Sequence, residues 1–143
     1  MWRVGEVVRL GTAQFSREQL VRYAGASGDF NPIHYDEERA RSFGLPGVIA
    51  HGMLSMGVLA RLIKESAPPG SHFERYGVRF RAMVEPQQSL SATARVDSVD
   101  DDGRVVLEVA LQHADGRIAA SGQAVLRIPP RDSVGNDGTD ARR

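Results

Sequence analysis

The chain of 143 residues contains no cysteine. This excludes a disulfide framework, a thiol nucleophile and any metal site built on thiolates. Net charge is also missing, 18 basic residues standing against 18 acidic ones. That balance removes the usual electrostatic argument for a nucleic-acid partner or an acidic membrane surface. No apolar run approaches membrane-spanning length, because Arg61 and Lys64 interrupt the longest candidate. The opening residues, Met1-Trp2-Arg3-Val4-Gly5-Glu6, lack the basic and then apolar pattern of a signal segment, so a cytoplasmic location is expected. Internal repeats are absent, and the length suits one domain with a real core. Residues 1–130 are expected to form that domain. Residues 131–143, rich in Asp, Gly, Asn, Ser and Arg and without periodicity or an aromatic residue, are expected to be a disordered tail.

What is present concentrates between Ser27 and Met53. Asp29 and His34 stand five residues apart across Asn31-Pro32, and Gly28, Asn31 and Pro32 are turn formers, so the segment reads as a folded-back loop. A carboxyl group and an imidazole aimed at one water can share its proton traffic at neutral pH. The spacing alone is better served by Asp29 and Asn31 bracing loop backbone beside a core His34. The next segment shifts the balance. Val48, Ile49, Met53, Leu54, Met56, Val58, Leu59, Leu62 and Ile63 put apolar residues on most sides of a helix, which predicts burial. Gly57 within it is expected to mark close packing against a sheet. Gly52 falls in the first turn, where amides lack intrahelical partners and the dipole is positive, so a substrate carbonyl oxygen could approach bare backbone there.

Around this centre, residues 4–10 read as a first strand, and Ser16-Arg17-Glu18-Gln19, flanked by Phe15 and Leu20, reads as a capping box opening a helix over 17–26. Asp36 caps a shorter helix that Gly44 and Pro46 end. Beyond the breaker Ala67-Pro68-Pro69-Gly70, Tyr76 to Ala82 and Leu90 to Val96 alternate with period two. Asp101-Asp102-Gly103 and Ala114-Asp115-Gly116 then mark hairpins into Val105–Gln112 and Arg117–Ile128. A sheet with one apolar face and a single apolar helix bury each other if the sheet wraps the helix, an α+β arrangement.

The strings Ser27-Gly28-Asp29-Phe30-Asn31-Pro32-Ile33-His34 and Ile49-Ala50-His51-Gly52-Met53 resemble the hydratase motif of the MaoC-like, (R)-specific enoyl-thioester hydratases and dehydratases. Gly44-Leu45-Pro46, the segment Val48 to Leu54 and Tyr76-Gly77-Val78-Arg79-Phe80 resemble more closely the catalytic B subunit of actinobacterial (3R)-hydroxyacyl-carrier-protein dehydratases. The resemblance implies a hot-dog fold, an antiparallel sheet wrapped around a long central helix. It implies Asp29 and His34 as the catalytic dyad, Asn31 as loop support and the Gly52 amide as the group that polarises the thioester carbonyl. The substrate would be an acyl thioester of coenzyme A or acyl carrier protein, and the assembly a homodimer or a heterodimer with a homologous hot-dog subunit. No cofactor or metal is expected, nor a nucleic-acid or membrane partner. Some hydratases of this family carry a serine later in the central helix, where this chain has Ala60, and Ser55 is no obvious replacement.

Other constellations are weaker. His34, His51, Asp29 and Asp36 show no His-x-x-x-His spacing for a metal. Ser27 and Ser55 lack a nucleophile elbow. Arg75, Arg79 and Arg81 could meet a phosphorylated carrier or simply form the outer face of a strand.

Overall fold

The structure, a computed structural model, describes residues 2–130; the tail expected over 131–143 lies outside the described residues. Five strands, β1 Val7–Ala13, β2 His72–Phe80, β3 Leu90–Val99, β4 Arg104–His113 and β5 Ile118–Arg127, form one antiparallel sheet in the order β1-β3-β4-β5-β2. The helices are α1 Arg17–Ser27, α2 Glu37–Ser42 and α3 Gly52–Ser66, with a 3-10 turn at Pro32–His34.

Local chemistry sets most boundaries. The Ser16 hydroxyl accepts from the Gln19 amide and the Gln19 side chain accepts from Ser16 N–H, the reciprocal cap the sequence predicts. Both hairpins fall where expected, with Gly103 and Gly116 at φ +85° and +92°, backbone that an L side chain adopts poorly. The first strand differs. It starts at Val7 rather than Val4, because Gly5 sits at φ +82°, and it runs on to Ala13 through a register shift between Arg9 and Gly11.

The strand after α3 does not pair with its sequence neighbour. β2 lies against β5 at the far edge, so β3 and β4 occupy the middle of the sheet. At that junction the backbones approach so closely that a Cβ on Gly122 would fall on the Gly77 carbonyl oxygen.

The inner face of the sheet carries Leu90, Ala92, Ala94 and Val96 of β3, Leu107, Val109 and Leu111 of β4, and Ala120, Ala124 and Leu126 of β5, all buried. The alanines leave room for Leu59, Leu62 and Ile63 of α3 to settle into the curl. Phe15 and Leu20 close one end of this core. Two expectations about α3 fail. Its buried residues are Ser55, Leu59, Leu62 and Ile63, while Met53 is 58 % exposed. Gly57 is exposed, and a Cβ there would meet open space, so packing against the sheet does not explain it. One curled sheet covers one side of a helix, and the opposite apolar side of α3 faces outward.

Candidate active site

Three chain segments converge at the N-terminal end of α3. The first follows α1. Gly28 turns the chain at φ +74°, and the Ser27 hydroxyl donates to the Tyr23 carbonyl while accepting from Asp29 N–H. Two side-chain turns follow. Asp29 Oδ1 accepts from Asn31 N–H at 3.2 Å, and Asn31 Oδ1 accepts from Ile33 N–H at 3.3 Å as the cap of the 3-10 turn. Pro32 opens that turn and His34 ends it, buried. Asp36 then caps α2 by accepting from Arg39 N–H, which occupies it away from the site. The second segment, 48–50, is held by two backbone bonds, Ile49 N–H donating to the Ile33 carbonyl and Ala50 N–H to that of Val84. The third is the first turn of α3, whose N-cap, His51, makes no side-chain cap bond, so amides there remain available to other acceptors.

Within this frame, Nε2 of His34 lies 3.7 Å from Oδ2 of Asp29. That is beyond a direct hydrogen bond yet close enough for both atoms to reach one water. His34 Nδ1 is 2.7 Å from the Ile49 carbonyl oxygen. A carbonyl only accepts, so Nδ1 carries the hydrogen, and in the neutral ring it is Nε2 that holds the lone pair toward Asp29. The loop therefore presents His34 as a base at Nε2. Asp29 remains half exposed and His34 is enclosed.

A cavity of about 300 Å³ opens beside the pair, with His34, Gly52, Ser55, Phe80, Met83 and Val84 in its wall. Gly52 is the first residue of α3, as the sequence predicts. A Cβ on it would stand 3.0 Å from two carbons of the Phe80 ring, so the bare backbone is what fits between helix and ring. A larger groove of about 740 Å³ runs over the outer face of the sheet past Arg79, Arg81, Arg95 and Glu108, but it is open and holds neither member of the pair. Arg81 borders both spaces and its Nε donates to the Ser121 hydroxyl at 3.2 Å.

Three wall or backing residues escape sequence reasoning. Ser55 is buried in the cavity wall three residues after Gly52, whereas Ala60 does not line it. Their helical spacing from Gly52 could have found Ser55, because residues three apart share a helix face. Phe80 comes from the end of β2, far off in sequence. His51 stacks on His34, ring centres 3.6 Å apart and planes 21° apart. Asp29, His34 and His51 thus bring one potential ligand atom each within 4.8 Å of one another. Each histidine already spends one ring nitrogen on a backbone carbonyl.

The antiparallel five-stranded sheet and the helix packed on its inner face define a hot-dog fold, with the acid–imidazole pair at that helix's N-terminal end. The chain belongs to the MaoC-like domain family, whose sequence profile matches residues 3–116. It is 28 % identical over 117 residues to the (R)-specific enoyl-CoA hydratase of Rhodospirillum rubrum, covering 81 % of each chain. Among solved structures it resembles the (R)-hydratase of Aeromonas caviae involved in PHA biosynthesis, with a TM-score of 0.82 and 27 % identity over 90 % of this chain and 98 % of that one. A chain of the ChsH1-ChsH2 complex from Mycobacterium tuberculosis shares the fold, with a TM-score of 0.79 and 21 % identity over 90 % of this chain and 100 % of that one.

Proposed function

We propose that this protein is a hydro-lyase that interconverts a trans-2-enoyl thioester and a (3R)-3-hydroxyacyl thioester in fatty-acid metabolism. The observation that carries the reading is His34 Nε2 facing Asp29 Oδ2 across 3.7 Å, with His34 and Gly52 in the wall of one cavity. Its similarity to proteins named as (R)-specific hydratases supports the reaction class.

In the hydration direction the substrate carbonyl oxygen sits on the Gly52 N–H. Water between Asp29 and His34 gives a proton to His34 Nε2 as its oxygen bonds to C3. The C2–C3 π electrons shift toward the thioester oxygen, and the Gly52 amide stabilises that enolate charge. The proton is then handed through Asp29 to C2, so that one water has been added across the double bond. Dehydration runs the same steps backward. Asn31 shapes the loop and does not react. The reading includes a thioester of coenzyme A or acyl carrier protein as substrate, and a dimer with a second copy or a homologous hot-dog partner.

The test is a spectrophotometric assay of the purified chain on trans-2-enoyl thioesters. Loss of enoyl absorbance with a (3R) product is expected; release of free thiol without it would make the protein a thioesterase, and a (3S) product would put water on the opposite face.

A further inference from the structure

His51 is 2 % exposed and lies behind the cavity rather than in its wall. Its ring nevertheless meets both members of the acid–imidazole pair. Nε2 is 3.2 Å from the Asp29 carbonyl oxygen. One ring face covers His34, and the Tyr23 ring of α1 meets it edge-on, centres 4.8 Å apart at 68°. Its own carbonyl accepts from Leu54 and Ser55 N–H in the first turn of α3, and Gly52 follows it in the chain.

The hydrogen is on Nε2, since the Asp29 carbonyl can only accept. Nδ1 is buried with no hydrogen-bond partner among the described residues. A protonated ring would put a second N–H in that spot with nothing to receive it. Burial, and secondarily the neighbouring His34, also hold His51 below its ordinary value, against the opposing pull of the Asp29 carbonyl. The ring is therefore a neutral brace.

We propose that His51 is a positioning residue of the hydration site, its Nε2–H holding the Asp29 backbone while its ring face backs the His34 imidazole. The proposal deepens the hydro-lyase reading and rests on it. Asp29 needs such a tether because its side chain is 51 % exposed and its other bonds run only to neighbours in the same loop. A misplacement of about 1 Å between reacting groups is enough to cost about 100-fold in rate.

Four substitutions separate the contacts. In His51→Gln the side-chain amide nitrogen is as many bonds from Cα as Nε2, so the bond to Asp29 can re-form. In His51→Asn it falls one bond short. His51→Phe keeps a ring face against His34 but has no donor, and His51→Leu serves as a second donor-free variant should Phe overpack the site. All are judged by circular dichroism and melting before kinetics. His51→Gln is expected to keep kcat within about tenfold, and the folded Asn, Phe or Leu variants to lose about 100-fold in kcat with little change in KM. Nitrogen-15 spectra of the His34 ring should move in the donor-free variants and return toward wild type in His51→Gln. Normal kcat and unmoved His34 signals in a folded donor-free variant would overturn the proposal, as would a His51→Gln protein as slow as His51→Phe. A wild type without hydratase activity defeats the hydro-lyase reading instead, and the nitrogen spectra then still decide whether His51 positions His34.

Discussion

Asp29 uses only one of its carboxylate oxygens to hold the loop. Oδ1 closes a turn with Asn31 N–H, which leaves Oδ2 facing His34. If the two act on one water, Asp29→Asn and His34→Ala should each lower turnover by about 100-fold or more. The double variant should lose far less than the product of those losses, because groups that work as a unit are not additive. Steady-state assays on the four proteins decide this, and near-normal rates in either folded single variant would take that residue out of the dyad. Gly52 gives a second test. A valine there would drive a branched side chain into the Phe80 ring and over the first-turn amide, while α3 itself persists. Turnover is expected to fall by about 100-fold with unchanged helical circular dichroism; full activity would remove Gly52 from the carbonyl-binding role.

The short elements around the pair are held by one carboxylate. Glu37, in the first turn of α2, takes Arg17 of α1 at 2.7 Å and Arg41 at 3.1 Å, and accepts from Val48 N–H at 3.4 Å. A Cβ on Gly47 would stand 2.5 Å from Glu37 Oε1, so a side chain there would push the carboxylate aside. The bond to Arg17, with smaller help from Val48 N–H and the Arg41 charge and against partial burial, holds the Glu37 carboxyl below its ordinary 4.5. The folded chain therefore releases this proton more readily than the unfolded one. Its stabilising contribution is present above about 4.5 and is lost as pH falls through the lower folded value. Urea midpoints measured from neutral pH down to about pH 3 should show Glu37→Gln less stable than wild type at neutrality and less sensitive to acid. Identical slopes for the two proteins would mean the clamp carries no linkage.

As a whole, the single chain leaves apolar surface around the candidate site. Phe30, Met53, Phe80 and Met83 are each at least half exposed around the cavity mouth and the start of α3, and β1 and β2 are edge strands. Sheets avoid bare edges by pairing or covering them, and a contiguous apolar patch marks an interface. Sedimentation of the purified chain is expected to show a dimer, or a monomer that pairs once a homologous partner is added. Met53→Glu, which sets a charge on the outward side of α3, should lower the dimer fraction without unfolding the chain. An active wild-type monomer would rule the assembly out.

The sequence by itself determined whatever depends on neighbours in the chain. The Ser16 capping box, the Asp36 cap, both hairpin glycines and the turns that fold Asp29 toward His34 are bonds between residues a few positions apart, so residue type and spacing suffice to specify them. The alternation of β3 and the apolar content of α3 likewise announced a sheet and helix that bury each other. Only the tertiary structure decided what depends on residues distant in the chain. It placed β2 beside β5, because strand pairing is chosen by the whole sheet and not by order of synthesis. It turned one side of α3 outward, since helical periodicity records apolar faces but not which of them a single sheet can cover. It also brought the Phe80 ring over Gly52 and set the His51 ring against His34, contacts made across folded segments that no local spacing encodes.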